Sequence, residues 1–368
     1  MNKVIIAPDS FKGALTAKEA AGIIAEEISG VFPLCEIIKM PIADGGEGSV
    51  DVILSAVGGN VYSAKVQSPD NRQIDASFGI ADNNAAILEM AQSSGITKQL
   101  GLHPMTANTY GFGQLIKAAL DRDAREFILC IGGSASTDGG CGMAAALGVK
   151  FHDAQGNSFI PCGETLNEIS DIDISGIDKR IAGSSFTVMC DVDNPLFGTN
   201  GAAYIYGPQK GANPEQVKTL DKGLRHYGAL LEEHYGRSFV TIPGSGAAGG
   251  LGAGCMAYLG AKLKRGIDAI LELYDFKKQR ENADLIITGE GKLDSQSFQG
   301  KVLSGVIREA GDVPVWSICG VCDIDPGLLR GYSIEVFETS EGITAEESIR
   351  EPAKYLRIAA RKATKEMI

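Results

Sequence analysis

The sequence predicts an α/β protein: a doubly wound parallel sheet drawn from both chain ends, with a second mixed α/β domain inserted between them. Three observations predict it. The first 60 residues read strand-helix-strand-helix, and the same rhythm returns after residue 283. Between them the pattern changes to short alternating strands and glycine-rich turns. The length of 368 residues also exceeds what one hydrophobic core usually serves.

At the N-terminus, residues 4–7 form an apolar run that reads as a buried strand. Pro8-Asp9-Ser10-Phe11-Lys12-Gly13 follows as a loop. Thr16 with Glu19 forms a capping box, and Ala20, Ile24, Ile28 and Val31 keep helical spacing. A second strand over 35–42 runs into Ala43-Asp44-Gly45-Gly46-Glu47-Gly48, and a second helix covers 49–57. Both loops lie at carboxyl ends of strands, where open α/β sheets bind ligands.

The middle predicts strands over 62–67, 74–80 and 85–90 and a helix over 110–120. The apolar run 127–131 then stops at the turn IGGSASTDGGCG (131–142), and Met143 to Leu147 resume as helix formers. Glycines let a backbone approach a ligand, and the N–H groups of a helix start favour anions. A phosphate or carboxylate site is one reading; a strand-to-helix turn packed tightly for steric reasons is the other. Residues 148–151 are extended and 153–183 loop-rich. Asp171, Asp173 and Asp178 there lack calcium-loop spacing and read as a solvated surface. A strand over 186–190 ends at Asp191-Val192-Asp193-Asn194-Pro195. Gly207-Pro208-Gln209-Lys210-Gly211, a helix over 214–235, the glycine run 243–252 and an apolar helix to about 263 follow.

After 283 the expectation is a strand over 284–288, a loop over 289–295, a helix over 301–310 and a strand over 313–319. A short helix over 326–330 and a strand over 334–337 come next, then one long helix capped by Thr344 with Glu347. Two βα units before 60 and three after 283 make a flavodoxin-like sheet. The expected domains are 1–60 with 283–368, and 61–282 inserted, with the ligand cleft between them.

Composition excludes several classes. With 44% apolar and 22% charged residues the chain reads as an ordinary globular protein. Its net charge is −12, from 34 basic and 46 acidic residues, with no polybasic run, so no nucleic-acid partner is expected. The opening MNKVIIA is too short for a signal peptide, and no run reaches the roughly 20 apolar residues of a membrane span. No membrane association and a cytoplasmic location are expected; a homodimer is left open. The eight cysteines read as reduced core thiols, including the redox-spaced Cys319 and Cys322. His103, His152, His226 and His234 have no patterned partners, and no P-loop, H-E-x-x-H or G-x-S-x-G motif occurs. Gly244-x-Gly246-x-x-Gly249 matches the dinucleotide fingerprint, with Asp268 beyond it, but Pro243 precedes it and no βαβ unit encloses it.

Three glycine turns remain, at 131–142, 243–252 and 288–295, with Lys12, Lys210, Lys292 and Lys301 beside them. Asp9, Asp44, Glu47, Asp191, Glu290 and Asp294 follow strand ends. That inventory suits phosphoryl transfer: lysine and Mg²⁺ neutralise phosphate charge, and a carboxylate orients or deprotonates the attacking hydroxyl.

Seven motifs, in order, carry a resemblance: APDSFKGALTAKEAA, PIADGGEGSV, IGGSASTDGGCGMAAALG, CDVDNPLFG, GPQKGA, PGSGAAGGLGAG and TGEGKLDSQSFQGK. Together they resemble the bacterial type I glycerate kinase family. The resemblance implies ATP-dependent phosphorylation of D-glycerate, with 2-phosphoglycerate the usual product, downstream of glyoxylate and sugar-acid breakdown. It also implies a flavodoxin-like domain carrying an inserted α/β domain. It weakens after residue 305 and does not extend to Cys319-Gly-Val-Cys322.

The residue roles rest on chemistry. Gly132, Gly133, Ser134, Asp138, Gly139 and Gly140, with Gly246, Gly249 and Gly250, are expected to hold ATP phosphates. Asp191 activates the hydroxyl, with Asp44 its rival, and both contact Mg²⁺. Lys12 or Lys210 pairs with the moving phosphoryl group or the glycerate carboxylate, and Ser10 and Glu47 face substrate. Attack through the 3-hydroxyl, a dinucleotide-dependent oxidoreductase and a non-catalytic metabolite sensor are the alternatives.

Overall fold

The computed structural model describes residues 1–368 apart from Lys12, Asp44, Gln299, Gly300 and Ser333. The chain opens with β1 (Lys3–Pro8), α1 (Ala17–Val31), β2 (Glu36–Lys39) and α2 (Ser49–Val57). The Thr16 capping box forms: Glu19 N donates to Thr16 Oγ1 at 3.2 Å, and Thr16 N donates to the Glu19 carboxylate at 2.9 Å.

The middle of the chain begins with β3 (Asn60–Gln67), β4 (Gln73–Ile80) and β5 (Ala85–Glu89). Then come α3 (Ala91–Ser94), α4 (Tyr110–Leu120), β6 (Glu126–Cys130) and α5 (Cys141–Ala146). Three short strands, β7 (Lys150–His152), β8 (Ser158–Phe159) and β9 (Asp171–Asp173), make a small antiparallel sheet. They are followed by β10 (Ser185–Met189), α6 (Ala202–Tyr206), α7 (Pro214–Tyr235), α8 (Ala247–Leu259) and β11 (Lys262–Lys264). The 22-residue α7 has complete end signals: the Asn213 side chain caps Glu215 and Gln216, Pro214 opens it and left-handed Gly236 ends it.

The chain then runs through α9 (Gly266–Leu273), α10 (Phe276–Gln279), β12 (Leu285–Leu293), α11 (Val302–Ala310) and β13 (Val315–Cys322). It closes with α12 (Pro326–Gly331), β14 (Ile334–Glu338), α13 (Ala345–Arg350) and α14 (Pro352–Glu366).

Two compact units result. The first comprises Met1–Asp44, Asp51–Val57 and Arg265–Ile368; the second comprises Gly45–Val50 and Gly58–Lys264. The first returns at Arg265 rather than at 283, for identifiable reasons. The Tyr274 hydroxyl donates to Pro41 O at 2.6 Å, and Arg308 of α11 pairs with Asp268 of α9.

In the first unit the strands lie in the order β14-β13-β12-β1-β2, all parallel. Counted within that unit the order is 2-1-3-4-5, which is the flavodoxin-like arrangement, with its switch point between β1 and β12. Two expectations are corrected here. The 289–295 stretch is not a loop throughout, because β12 continues to Leu293 and pairs Lys292 with Val321 and Leu293 with Cys322. The final helix is two helices, because Pro352 has no N–H to continue α13 and instead opens α14. Helix α14 lies against α1. Burial of Ile24, Ile28 and Leu356 contributes about 2 kcal/mol each. The Arg357–Glu26 pair is exposed and screened by solvent, so the apolar seam dominates.

In the second unit the sheet order is β11-β10-β6-β5-β4-β3. Strands β5, β6, β10 and β11 are parallel, and β3 and β4 add an antiparallel edge. Phe112, Leu115 and Ile116 of α4 and Leu251, Cys255 and Leu259 of α8 pack with Leu88, Phe127, Leu129, Phe186 and Val188 of the sheet. A second cluster gathers Leu220, Leu224 and Tyr227 of α7 with Phe151 and Tyr258. Among the described residues, no helix is long and apolar enough to cross a membrane.

Candidate active site

Three neighbouring parallel strands of the second unit end together. Glu89 of β5, Cys130 of β6 and Met189 of β10 stand in register, so Gly132 and Asp191 each follow two residues beyond their strand. The Gly45–Val50 loop lies across these ends. Gly132 N donates to Gly45 O at 3.2 Å, while Gly48 N and Val50 N donate to the Glu89 carboxylate at 3.2 and 2.6 Å. Glu89 is buried, and Gln92 Nε2 adds a contact at 3.3 Å. A buried carboxylate with several N–H donors is well satisfied and holds this loop in place. The loop carries Glu47, which is exposed.

The turn after β6 divides in two. Its first half reaches the surface: Gly132 and Ser134 are half-buried and Gly133 is exposed, with a left-handed φ of 74°. It is braced from below by Ile96 N donating to Gly133 O and Ala135 N donating to Ser94 O. The second half turns inward. The Asp138 carboxylate is fully buried and accepts from Thr109 N (2.8 Å), Thr109 Oγ1 (2.7 Å), Gly142 N (3.1 Å) and Gly140 N (3.3 Å). Burial pushes its carboxyl up from the usual range, and the Thr109 hydrogen bonds pull against that. The amides at the start of α5 thus already hold an internal anion. Gly139 N donates to Gly249 O at 3.1 Å, and a Cβ on Gly249 would lie 2.1 Å from Ser136 O. Gly246 N donates to Asn194 O, where a Cβ would meet Pro195 O at 2.2 Å.

Asp138, Gly139, Gly140, Gly246, Gly249 and Gly250, expected at the ATP phosphates, are buried: Gly246 and Gly249 lie where backbone packs on backbone, and Gly139 packs against the Tyr227 ring. The 243–252 run serves instead to seat the loop after β10. That loop is further tied by Asn194, which donates to Asn200 O at 2.7 Å and accepts from the Tyr206 hydroxyl at 2.6 Å. Asp191 and Asp193 on it are exposed. The dinucleotide reading loses its context as well, because no strand leads into Gly244 and residues 248–250 are left-handed.

Lys210, expected at the phosphoryl group or the glycerate carboxylate, is buried. Its side chain is 1% exposed, and its Nζ donates to Ser134 Oγ at 2.8 Å and Ser136 O at 2.5 Å. Burial pushes its pKa down to about 7, opposed by the charge of Asp138. It lies beneath the turn, held to Ser134 and Ser136.

The profile described as the glycerate kinase family matches residues 4–368. The chain belongs to the glycerate kinase family. The match runs past residue 305, where the motif resemblance weakens. The chain is 42% identical to glycerate kinase of Bacillus subtilis (strain 168), over 98% of this chain and 96% of the relative. It is 41% identical to glycerate 2-kinase of Escherichia coli (strain K12), over 95% and 93%. A crystal structure from Salmonella typhimurium LT2 described as a glycerate kinase 2 superposes with a TM-score of 0.89 at 36% identity, covering 100% of this chain and 98% of that one.

For a member of the glycerate kinase family, the first unit holds a second group of interest at its switch point. Asp9 N donates to Gly289 O at 2.7 Å, and Ser10 N donates to the Asp9 carboxylate at 2.6 Å. Glu290 of β12 is half-buried. Burial pushes its carboxyl up, Ser297 counters that, and the Asp9 charge adds to it. Ser10 is half-buried beside this pair. Lys12 and Asp44 lie outside the described residues.

Glu89 and Thr109 received no role from the sequence. Glu89 had a signal, a lone carboxylate inside the apolar run AAILEMA; Thr109 had none.

Proposed function

We propose that this chain transfers the γ-phosphoryl group of ATP to D-glycerate at its 2-hydroxyl. The observation that carries this reading is the surface-reaching half-turn Gly132-Gly133-Ser134, beside exposed Asp191 at the end of the adjoining parallel strand, in a member of a kinase family. The E. coli relative named glycerate 2-kinase supports the choice of hydroxyl.

In this reading Gly133 leaves room for a phosphate oxygen and Ser134 donates to it. The Asp191 carboxylate accepts the hydroxyl proton as the glycerate oxygen bonds to phosphorus, and ADP departs. Glu47, on the loop across these strand ends, orients glycerate. Among the described residues no group of three His, Cys, Asp or Glu side chains could hold a metal ion. Mg²⁺ needs less than that: one or two carboxylates suffice because it keeps its waters, and Asp191 with Asp193 offers such oxygens on one exposed loop. Bound there, Mg²⁺ would neutralise charge on the transferring phosphate.

Purified protein with D-glycerate, ATP and Mg²⁺, followed by ³¹P and ¹³C NMR, tests this. A 2-phosphoglycerate signal is expected. A 3-phosphoglycerate signal would overturn the choice of hydroxyl, and unconsumed ATP would overturn the reaction.

A further inference from the structure

A lysine buried to 1% exposure, hydrogen-bonded to one hydroxyl and one carbonyl, is an expensive feature. Burying an ammonium opposes folding by several kcal/mol unless strong partners offset it. The charge acting on Lys210 is Asp138, itself occupied by four other donors. A methionine of similar length would fill the same space without that penalty.

The donor chemistry says what the ammonium adds. It has three N–H donors and no acceptor, whereas a serine hydroxyl has one donor and two acceptor lone pairs. At 2.8 Å from the protonated Lys210 Nζ, Ser134 Oγ can only accept, so its own hydrogen points away from the ammonium. Ser134 follows exposed Gly133 on the part of the turn that reaches the surface. The same Nζ also holds Ser136 O at 2.5 Å and so spans the turn.

We propose that Lys210 is a positioning residue: its buried ammonium clamps the Ser134–Ser136 turn and forces Ser134 to present its hydroxyl hydrogen outward, to a phosphate oxygen of the nucleotide. This rests on the reading that the turn receives ATP.

The test measures kcat, KM for ATP and KM for glycerate in K210M, S134A and the double variant, with thermal melting to confirm folding. K210M is expected to raise KM for ATP about tenfold, the worth of one charge-assisted hydrogen bond, with little change in KM for glycerate. S134A should behave alike, and the double variant should be no worse than the worse single one, because both remove the same donor. Lys210→Ala should recover ATP affinity with n-propylammonium but not with tetramethylammonium, which has no N–H. Multiplying effects in the double variant would overturn the positioning role and leave the phosphate reading standing. A normal ATP KM in S134A would instead sink the phosphate reading of the turn. If both Lys210 variants fail to fold and n-propylammonium restores nothing, Lys210 serves stability alone and the proposal falls.

Discussion

The two halves of the turn after β6 look alike in sequence and differ in what surrounds them. A Cβ on Gly133 would meet only the Ala91 Cβ, at 3.4 Å, whereas one on Gly249, which the second half packs against, would lie 2.1 Å from a backbone oxygen. The same residue type serves opposite ends: close approach by a ligand in one place, close approach by another segment of chain in the other. Glycine density marks where backbone comes close to something. It does not say to what.

The sharpest way to break this contrast is to add a methyl group on each side. Gly249→Ala must displace Ser136 O and adopt a φ of 71°, so a loss of about 4 kcal/mol or more is expected, read as absent or low-melting protein. An alanine variant that melts normally would mean the turns can separate. Next in size, Asp191→Asn should lower kcat by at least about 10²-fold in folded protein, as removal of a general base requires; near-normal turnover would take Asp191 out of that role. Gly133→Ala should fold, at a penalty of about 1–2 kcal/mol for its φ of 74°, and raise KM for ATP by about tenfold. An unchanged KM would make both halves structural.

The smallest effect is one of pH. Lys210 has a pKa of about 7 in the fold against 10.5 when unperturbed. Between those values the unfolded chain binds the extra proton, so this group's share of stability rises as pH increases from 7 and is flat below it. From pH 7 to 8 the change is at most about 1.4 kcal/mol, a few degrees of melting temperature. Thermal melts of wild type and K210M should show the wild type gaining on the variant over that unit. Parallel curves would contradict the lysine's burial.

Much of the fold was legible because long apolar runs and cap residues set it: α4 and α7 occupy the predicted spans, and the five parallel strands of the first unit fall where the βα rhythm put them. Strand β11 was not legible, since Lys262-Leu263-Lys264 has no apolar run to betray a strand. Helices α9 and α10 are short, and their partners Pro41 and Arg308 lie far off in sequence. In the site, residue types were readable but side-chain direction was not. Asp138 reads as a ligand contact because its chief donor, Thr109, comes from a different segment, and Lys210 reads as a substrate contact because its partners Ser134 and Ser136 lie far off in sequence.

The pairing of Val4 with Leu285 has a consequence during biosynthesis. Strand β1 leaves the ribosome with β2 as its only available neighbour, and its other edge stays open until β12 is made. At about 5–20 residues per second that wait lasts on the order of tens of seconds. The stretch from Gly58 to Lys264 contains every strand of its own sheet and can fold cotranslationally meanwhile. Nascent β1 and β2 thus keep an open apolar edge through that interval, and slow decoding before Leu285 would prolong its exposure.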